Sequence, residues 1–157
     1  MRVGAAVLAA VMAVALTGCG LTVPTDPEGT LDRITGGELR VGASPSAGLV
    51  ATIGEGADVE VSGPLPALIE GFAAEREARI AWTVGGEEEL VDGLEAGDLD
   101  LVIGGITDAT PWVDRASVTR GYPGLPGADG RSIVLLLPLG ENALQSALET
   151  FLDGEVK

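Results

Sequence analysis

The pattern of apolar and polar residues along the chain predicts strands and helices that alternate. Residues 38–43 and 79–84 alternate between the two kinds of side chain, which predicts two strands. Apolar residues recur at helical spacing in 65–73 and 87–96, which predicts two amphipathic helices. The apolar run 99–103 predicts a central parallel strand that is buried on both faces. This order of elements predicts an α/β fold with a mainly parallel sheet flanked by helices.

The rest of the chain adds one strand and one helix to this pattern. Residues 132–137 predict a further strand, and the apolar stripe of 141–152 predicts a helix that packs on the sheet. The Gly-rich residues 46–62 predict an irregular loop with a short strand at 57–61. Residues 108–131 contain several prolines and predict a long loop.

The first residues have the pattern of a bacterial export signal. Arg2 is followed by an uncharged apolar run over 3–16, which is shorter than the roughly 20 residues that a membrane-spanning helix needs. The run leads into the sequence "LTGC" over 16–19, which resembles the lipobox of bacterial lipoproteins. We therefore predict a signal peptide over 1–18 and an extracytoplasmic chain that lipid on Cys19 anchors to the bacterial cell membrane. The alternative is an ordinary secretory signal that happens to end beside a cysteine.

The chain after the predicted cleavage point divides into a tether and one domain. Residues 19–37 are rich in proline and glycine and predict a flexible tether, with a short helical turn over 30–34. Residues 38–157 are enough for one domain with its own hydrophobic core. Because Cys19 is the only cysteine, this domain has no internal disulfide and folds by packing alone.

The composition narrows the range of functions. The chain has 24 acidic residues against 9 basic ones and a formal net charge of −15, so we predict that it binds no nucleic acid and no anionic lipid surface directly. Solubility is the favoured explanation of this acidity, and cation binding is the alternative. There is no histidine, which removes the usual general base and the usual zinc ligand. We therefore predict a protein that is not an enzyme and that needs neither a metal nor a cofactor.

Small polar residues follow two of the predicted strands. Ser44 follows the first strand, and Gly104, Gly105 and Thr107 follow the central one. In open α/β sheets, ligands bind beyond the carboxyl ends of the strands, where backbone amides and short side chains converge. This composition fits a site for a small polar ligand, and it fits two ordinary turns between strand and helix equally well.

Several ordered segments resemble one known family. They are "GELRVG" over 37–42, "LVDGLEAGDLD" over 90–100, "LVIGGITDATPWVDRASVTRGY" over 101–122 and "SIVLLLPLGENALQSALETFL" over 132–152. In this order they resemble the first lobe of the family 3 extracellular solute-binding proteins, which hand amino acids and similar polar solutes to ABC transporters. The resemblance implies a membrane-anchored receptor for a small polar solute, with an ABC permease as its partner.

The chain departs from this family in two ways. Only residues 123–131 stand where the family has a whole second lobe, so the resemblance implies a single lobe that leaves its ligand half exposed. Trp112 stands where the family usually has the arginine that binds an α-carboxylate, and Arg115 is a speculative substitute. Thr107 matches the family's ligand-contacting hydroxyl residue. If exposed, Trp112 stacks on the ligand, and packing of the long loop is its alternative role.

The resemblance therefore implies a ligand site made of Ser44, Gly104, Gly105, Thr107 and Trp112. A second hypothesis is a protein-interaction or sensor module without transport, which predicts an apolar patch around Trp112 and Tyr122. A third is an enzyme on the same scaffold, and no assembled set of acid and base residues in the sequence supports it.

Overall fold

The computed structural model describes residues 26–54 and 59–156. The predicted signal peptide over 1–18 and the predicted lipidation site at Cys19 lie outside these residues. Among the helices of the described part, none combines the length and the hydropathy that crossing a bilayer requires.

Five strands form the main sheet. Strand β1 (Glu38–Ala43) lies between β4 (Arg79–Val84) and β5 (Leu101–Ile103), and both neighbours run parallel to it. Strand β7 (Leu136–Leu137) pairs antiparallel with β5 and with the edge strand β6 (Ser117–Val118). The predicted α/β fold is confirmed, because the longest strands form the expected parallel layer.

Helices cover both faces of this sheet. On one face lie α1 (Thr30–Ile34), α2 (Pro64–Glu75) and α4 (Asn142–Glu155), whose apolar residues join one core cluster with Leu101 and Ile103 of β5. The other face carries α3 (Glu87–Ala96), which packs in a second cluster with the remaining β5 residue, Val102. Successive side chains of a strand point to opposite faces, so β5 is buried on both sides as its apolar run predicts.

The helices follow the sequence pattern closely. Pro64 and Pro66 lie in the first turn of α2, where the missing N–H groups cost no helical hydrogen bond. Three glutamates open α3, where they oppose the positive end of the helix dipole, and Gly97 closes it in the left-handed conformation. A short 3₁₀ helix, Pro111–Asp114, lies within the predicted long loop.

The strands differ from the prediction in several places. Strands β2 (Ala51–Ile53) and β3 (Glu60–Ser62) form a separate antiparallel hairpin where a loop with a strand at 57–61 was predicted. The predicted strand at 57–61 overlaps β3, and β2 was missed because only Val61 among the six hairpin residues is buried, which leaves no apolar stripe in the sequence. Strand β6 also lies in the predicted loop over 108–131. The predicted strand over 132–137 is reduced to β7, preceded by isolated bridges at Ile133.

The N-terminal boundary of the lobe also needs correction. The expected helical turn over 30–34 is present as α1, but Ile34 is fully buried in the core. The carboxylate of Asp26 accepts hydrogen bonds from the backbone N–H groups of Thr30 and Leu31, at 3.1 and 3.2 Å. The part of the predicted tether over 26–37 therefore belongs to the folded lobe, because capping and burial outweigh its content of proline and glycine.

Candidate ligand-binding site

The carboxyl ends of three neighbouring strands form one edge of the lobe, which we call the C-terminal edge. The N–H of Gly85, just after β4, donates to the carbonyl of Ala43 at 3.3 Å. The N–H of Ser44, just after β1, donates to the carbonyl of Ile103 at 2.9 Å. The loops that follow β4, β1 and β5 therefore start side by side, which is where ligands of open α/β sheets bind.

Ser44 and Gly104 are in direct contact at this edge. A Cβ on Gly104 would lie 3.0 Å from the Cβ and 3.2 Å from the carbonyl oxygen of Ser44. Glycine at this position therefore lets the ends of β1 and β5 approach closely. This close approach gives Gly104 a packing role beside any role in ligand binding.

Gly105 lies beside two residues that the sequence analysis missed. A Cβ on Gly105 would lie 2.4 Å from the hydroxyl oxygen of Ser46 and 3.8 Å from Nη1 of Arg131. Ser46 returns to the edge because its N–H donates to the carbonyl of Val50 at 2.9 Å, which closes a tight turn. Arg131 gave no signal in the sequence because it comes from the predicted long loop and reaches the edge only in the folded chain.

The loop that carries Arg131 is held against the loop after β1. A Cβ on Gly127 would lie only 1.9 Å from the carbonyl oxygen of Gly48, and both glycines have positive φ values, 84° and 78°. The loop is closed at its base by Tyr122, whose N–H donates to the carbonyl of Ile133 at 2.8 Å. This short closed loop stands where the family that the chain resembles has its second lobe.

Thr107 lies next to the same returning segment. It forms an isolated antiparallel bridge with Ile133, and the N–H of the following Asp108 donates to the carbonyl of Ser132 at 3.1 Å. Thr107 is half-buried. The returning segment thus places Thr107 and Arg131 on neighbouring stretches of chain at the C-terminal edge.

Trp112 belongs to the 3₁₀ helix Pro111–Asp114, and its ring packs against the start of α3, with one edge and one face in contact with protein. Its Nε1–H donates to Glu87 at 3.3 Å, and the guanidinium carbon of Arg115 lies 5.6 Å from the ring centroid. The ring also packs against the core cluster of α3. These contacts favour the packing role for Trp112, and a ligand contact by this half-exposed side chain stays a proposal.

Arg115 is committed to the acidic face of α3. Its guanidinium forms hydrogen bonds with Glu95 and, at 2.6 Å, with Asp92, and these two bonds raise the pKa of Arg115 above its ordinary value. An arginine neutralised by two carboxylates is not free to bind a ligand carboxylate. The idea that Arg115 replaces the arginine missing at position 112 is therefore not supported.

A cavity of about 410 Å³ lies at the opposite end of the strands. Its wall includes Arg33, Arg40, Asp100 and Glu141, and it includes none of the predicted ligand-binding residues. Asp100 is buried and binds both arginines, so this cluster ties α1 to β1 and to the start of β5. Within the described residues, no group of three or more potential metal-ligating side chains is placed to hold an ion.

The comparisons with known proteins identify the fold of this chain. No protein-family model matches the sequence, and no curated protein matches it. Among solved structures, the arginine-bound domain 1 from TmArgBP is similar over 78% of this chain and 97% of that one, with 15% identity and a TM-score of 0.65. A tryptophan mutant of the same domain is similar over 80% of this chain and 97% of that one, with 16% identity and a TM-score of 0.66.

A third similar structure is an amino acid ABC transporter substrate-binding protein from Streptococcus pneumoniae bound to L-arginine. The match covers 80% of this chain and 92% of that chain, with 11% identity and a TM-score of 0.64. At these identities the likeness shows the fold, which is that of a single lobe of a solute-binding protein.

Proposed function

We propose that this chain is a one-lobed receptor for a small, amino-acid-like solute, which it binds at the C-terminal edge. The observation that carries the proposal is the convergence of Ser44, Ser46, Gly105, Thr107 and Arg131 at that edge. Hydroxyl groups, bare backbone and one arginine can bind a small polar molecule through hydrogen bonds. The fold, which is shared with domains of amino-acid-binding proteins, supports the same role.

The solved domain 1 from TmArgBP supports binding by one lobe alone. That structure is an isolated domain in its arginine-bound form, and this chain covers 97% of it. That domain is a precedent that supports ligand binding by a single lobe. A single lobe still leaves much of the ligand in water, so we expect a dissociation constant nearer 1 mM, or about −4 kcal/mol, than 1 nM.

The cellular setting of the proposal rests on the N-terminal sequence. The lipobox-like residues over 16–19 support an extracytoplasmic chain anchored through lipid on Cys19, and the resemblance supports delivery of the solute to an ABC permease. The unsubstituted chain and Thr107→Ala should incorporate a labelled fatty acid, whereas Cys19→Ala should incorporate none. Absence of the label from the unsubstituted chain would contradict lipid anchoring.

The direct test is ligand-induced stabilisation of the full chain in detergent. Thermal unfolding is measured with and without each of a panel of L-amino acids at up to about 100 mM, which is about a hundred times the dissociation constant expected above. A solute at a hundred times its dissociation constant should stabilise the lobe by about 2.7 kcal/mol, which is a shift of several degrees. Thr107→Ala should reduce this shift.

Thr150→Ala is the matched control, because Thr150 is exposed on α4 and its hydroxyl donates to the carbonyl of Ser146 within the same helix. It should leave the ligand-induced shift unchanged. Absence of any shift in the unsubstituted chain across the panel would refute solute binding. A shift that Thr107→Ala and Thr150→Ala leave equally intact would place the site elsewhere in the lobe.

The second candidate function is a protein-interaction or sensor module. Val113, beside Trp112, is 56% exposed and favours a contact surface there. Tyr122, the other half of the expected apolar patch, is only 6% exposed, and its burial raises its pKa to about 12. The expected patch is thus reduced to the neighbourhood of Trp112, so solute binding is the better-supported function.

A further inference from the structure

Arg131 is one of three arginines, with Arg76 and Arg79, that form no salt bridge in the described part of the chain, and it is the one of the three that lies beside Gly105 at the C-terminal edge. Arg33 and Arg40 bind Asp100, Arg115 binds two acids of α3, and Arg120 binds two acids of α4. No carboxylate of the described residues lies within salt-bridge distance of Arg131, although the chain has 24 acidic residues. This exposed guanidinium therefore keeps its full positive charge available at the C-terminal edge.

The backbone holds the Arg131 side chain in one orientation. Its Nε–H donates to the carbonyl of Ala128 at 3.0 Å, and Nη2 donates to the carbonyl of Gly127 at 3.2 Å. Both hydrogens on Nη1 are left without an acceptor among the described residues. Among the atoms of Arg131, Nη1 lies nearest to Gly105, 3.8 Å from the position of a Cβ there. The carbonyl contacts thus fix the plane of the guanidinium while its free nitrogen faces the edge.

The loop that carries Arg131 packs against the turn after β1. The contact between Gly127 and Gly48 fixes it against the turn after β1, and the N–H of Arg131 donates to the carbonyl of Ala128 at 2.9 Å. A cation that is already oriented loses less rotamer entropy when it binds an anion, so more of the interaction energy appears as affinity. Such pre-organisation is the property expected of a binding residue rather than of a solvated surface arginine.

We propose that Arg131 binds the carboxylate of the solute, with the Ser46 hydroxyl beside it as a second hydrogen-bond donor. The proposal rests on the solute-binding function above and specifies its ligand class as small molecules that carry a carboxylate. Arginine suits this role because its N–H groups form strong charge-assisted hydrogen bonds with carboxylate oxygens. The bare backbone of Gly105 lets the Ser46 hydroxyl and the Arg131 guanidinium approach the same point of the edge, since a Cβ there would lie 2.4 Å from Ser46 Oγ and 3.8 Å from Nη1 of Arg131.

This assignment also accounts for the tryptophan at position 112. The ring of Trp112 packs on α3 and cannot bind a carboxylate. Arg131 supplies the positive charge from a different part of the chain, the short loop over 123–131 and its return to the sheet. The loss of the expected arginine therefore does not remove carboxylate binding from this lobe.

The test compares L-arginine and L-alanine with their carboxamides, argininamide and alaninamide, by isothermal titration of the full chain. Each amide keeps the side chain and the ammonium group but has no carboxylate. We expect at least one of the amino acids to bind and its amide to bind about tenfold more weakly or worse, which is about 1.4 kcal/mol. This comparison uses the unsubstituted chain, so it does not depend on the folding of a variant.

The variants locate the effect at one residue. Arg131→Ala should weaken binding of the amino acid about tenfold or more and leave binding of the amide almost unchanged, whereas Arg131→Lys should retain part of the preference. Arg120→Ala is the matched control, because this arginine is exposed and already paired with Glu149 and Asp153. It should bind like the unsubstituted chain.

The outcomes separate this inference from the proposed function. If an amino acid binds but its amide binds equally well, or if Arg131→Ala binds it as tightly as the unsubstituted chain, the role of Arg131 is overturned while solute binding stands. If the unsubstituted chain binds neither of the two amino acids and neither of their amides, the proposed binding of amino-acid-like solutes fails, and the role of Arg131 fails with it.

Discussion

The buried carboxylate of Asp100 gives the sharpest test of how this lobe is held together. It accepts hydrogen bonds from the backbone N–H of Arg40 at 2.9 Å, from Nη2 of Arg40 at 2.6 Å and from the guanidinium of Arg33. Its side chain is 2% exposed, against 32% for Arg40 and 43% for Arg33. Asp100→Asn keeps the size of the side chain but removes its charge and turns one acceptor into a donor.

The expected loss follows from these contacts. Hydrogen bonds to charged groups contribute about 1.5–3 kcal/mol each, and removal of one partner of a fully buried ion pair costs about 3–5 kcal/mol. Here both arginines keep partial access to water, so they are not left as stranded buried charges. We therefore expect Asp100→Asn to lower the free energy of unfolding by about 2 kcal/mol, or the Tm by about 4–8 °C.

The dependence on pH has a defined sign. Burial alone would raise the pKa of Asp100, but hydrogen bonds from Arg40 and Arg33 lower it below its ordinary value. A carboxyl with a lowered pKa in the folded state stabilises the protein above its unfolded pKa of about 3.9 and loses this effect as the pH falls further. The difference between the unsubstituted chain and Asp100→Asn should be constant from pH 7 to about pH 5 and shrink below about pH 4.

Urea unfolding at several pH values measures this difference directly. Asp98→Asn is the matched control, because Asp98 is an exposed aspartate on the same turn and its side chain makes no hydrogen bond in the described residues. It should change the stability by less than about 0.5 kcal/mol. A loss below about 0.5 kcal/mol for Asp100→Asn at pH 7, or a loss that grows on acidification, would refute the reasoning.

Two further substitutions test other contacts by thermal unfolding. Burial and the neighbouring Asp26 raise the pKa of Glu141. Glu141→Gln should therefore stabilise the lobe at pH 7, and this gain should shrink as the pH falls towards the ordinary pKa of about 4.3; a constant gain would contradict it. Gly127→Ala should destabilise by about 3 kcal/mol, because it adds a clash with the Gly48 carbonyl to the cost of a positive φ. Gly130→Ala has the same positive φ but open space around it and should cost only about 1 kcal/mol; equal losses would exclude the clash.

The parallel layer could be predicted from the sequence because local pattern and tertiary burial agree there. The alternating residues of 38–43 and 79–84 became β1 and β4 with the predicted bounds, and 87–96 became α3. The short strands β2 and β6 could not be predicted in the same way. They contain three and two residues, and their pairing depends on partners elsewhere in the chain rather than on an apolar face of their own.

The candidate site was predictable only in part. Ser44, Gly105 and Thr107 follow strands whose ends meet at one edge, so a general rule of parallel sheets suffices to place them. This rule does not place Ser46 or Arg131. Ser46 lies at the edge because of a tight turn, and Arg131 lies there because its loop contacts Gly48 through Gly127. The backbone geometry of these loops depends on contacts between distant residues, which no local pattern encodes.

In the proposed receptor, the short loop over 123–131 takes the place of a second lobe. In a two-lobed protein, the chain leaves the first lobe near this point and the second lobe closes over the ligand. Here Tyr122 and Ile133 pair directly, so the chain returns at once and carries Arg131 back to the edge. If this lobe binds a solute as proposed, release requires only that the contacts at the edge break, because the described residues include no second lobe. Weak binding and rapid release would suit the proposed delivery of a solute to a permease at the membrane.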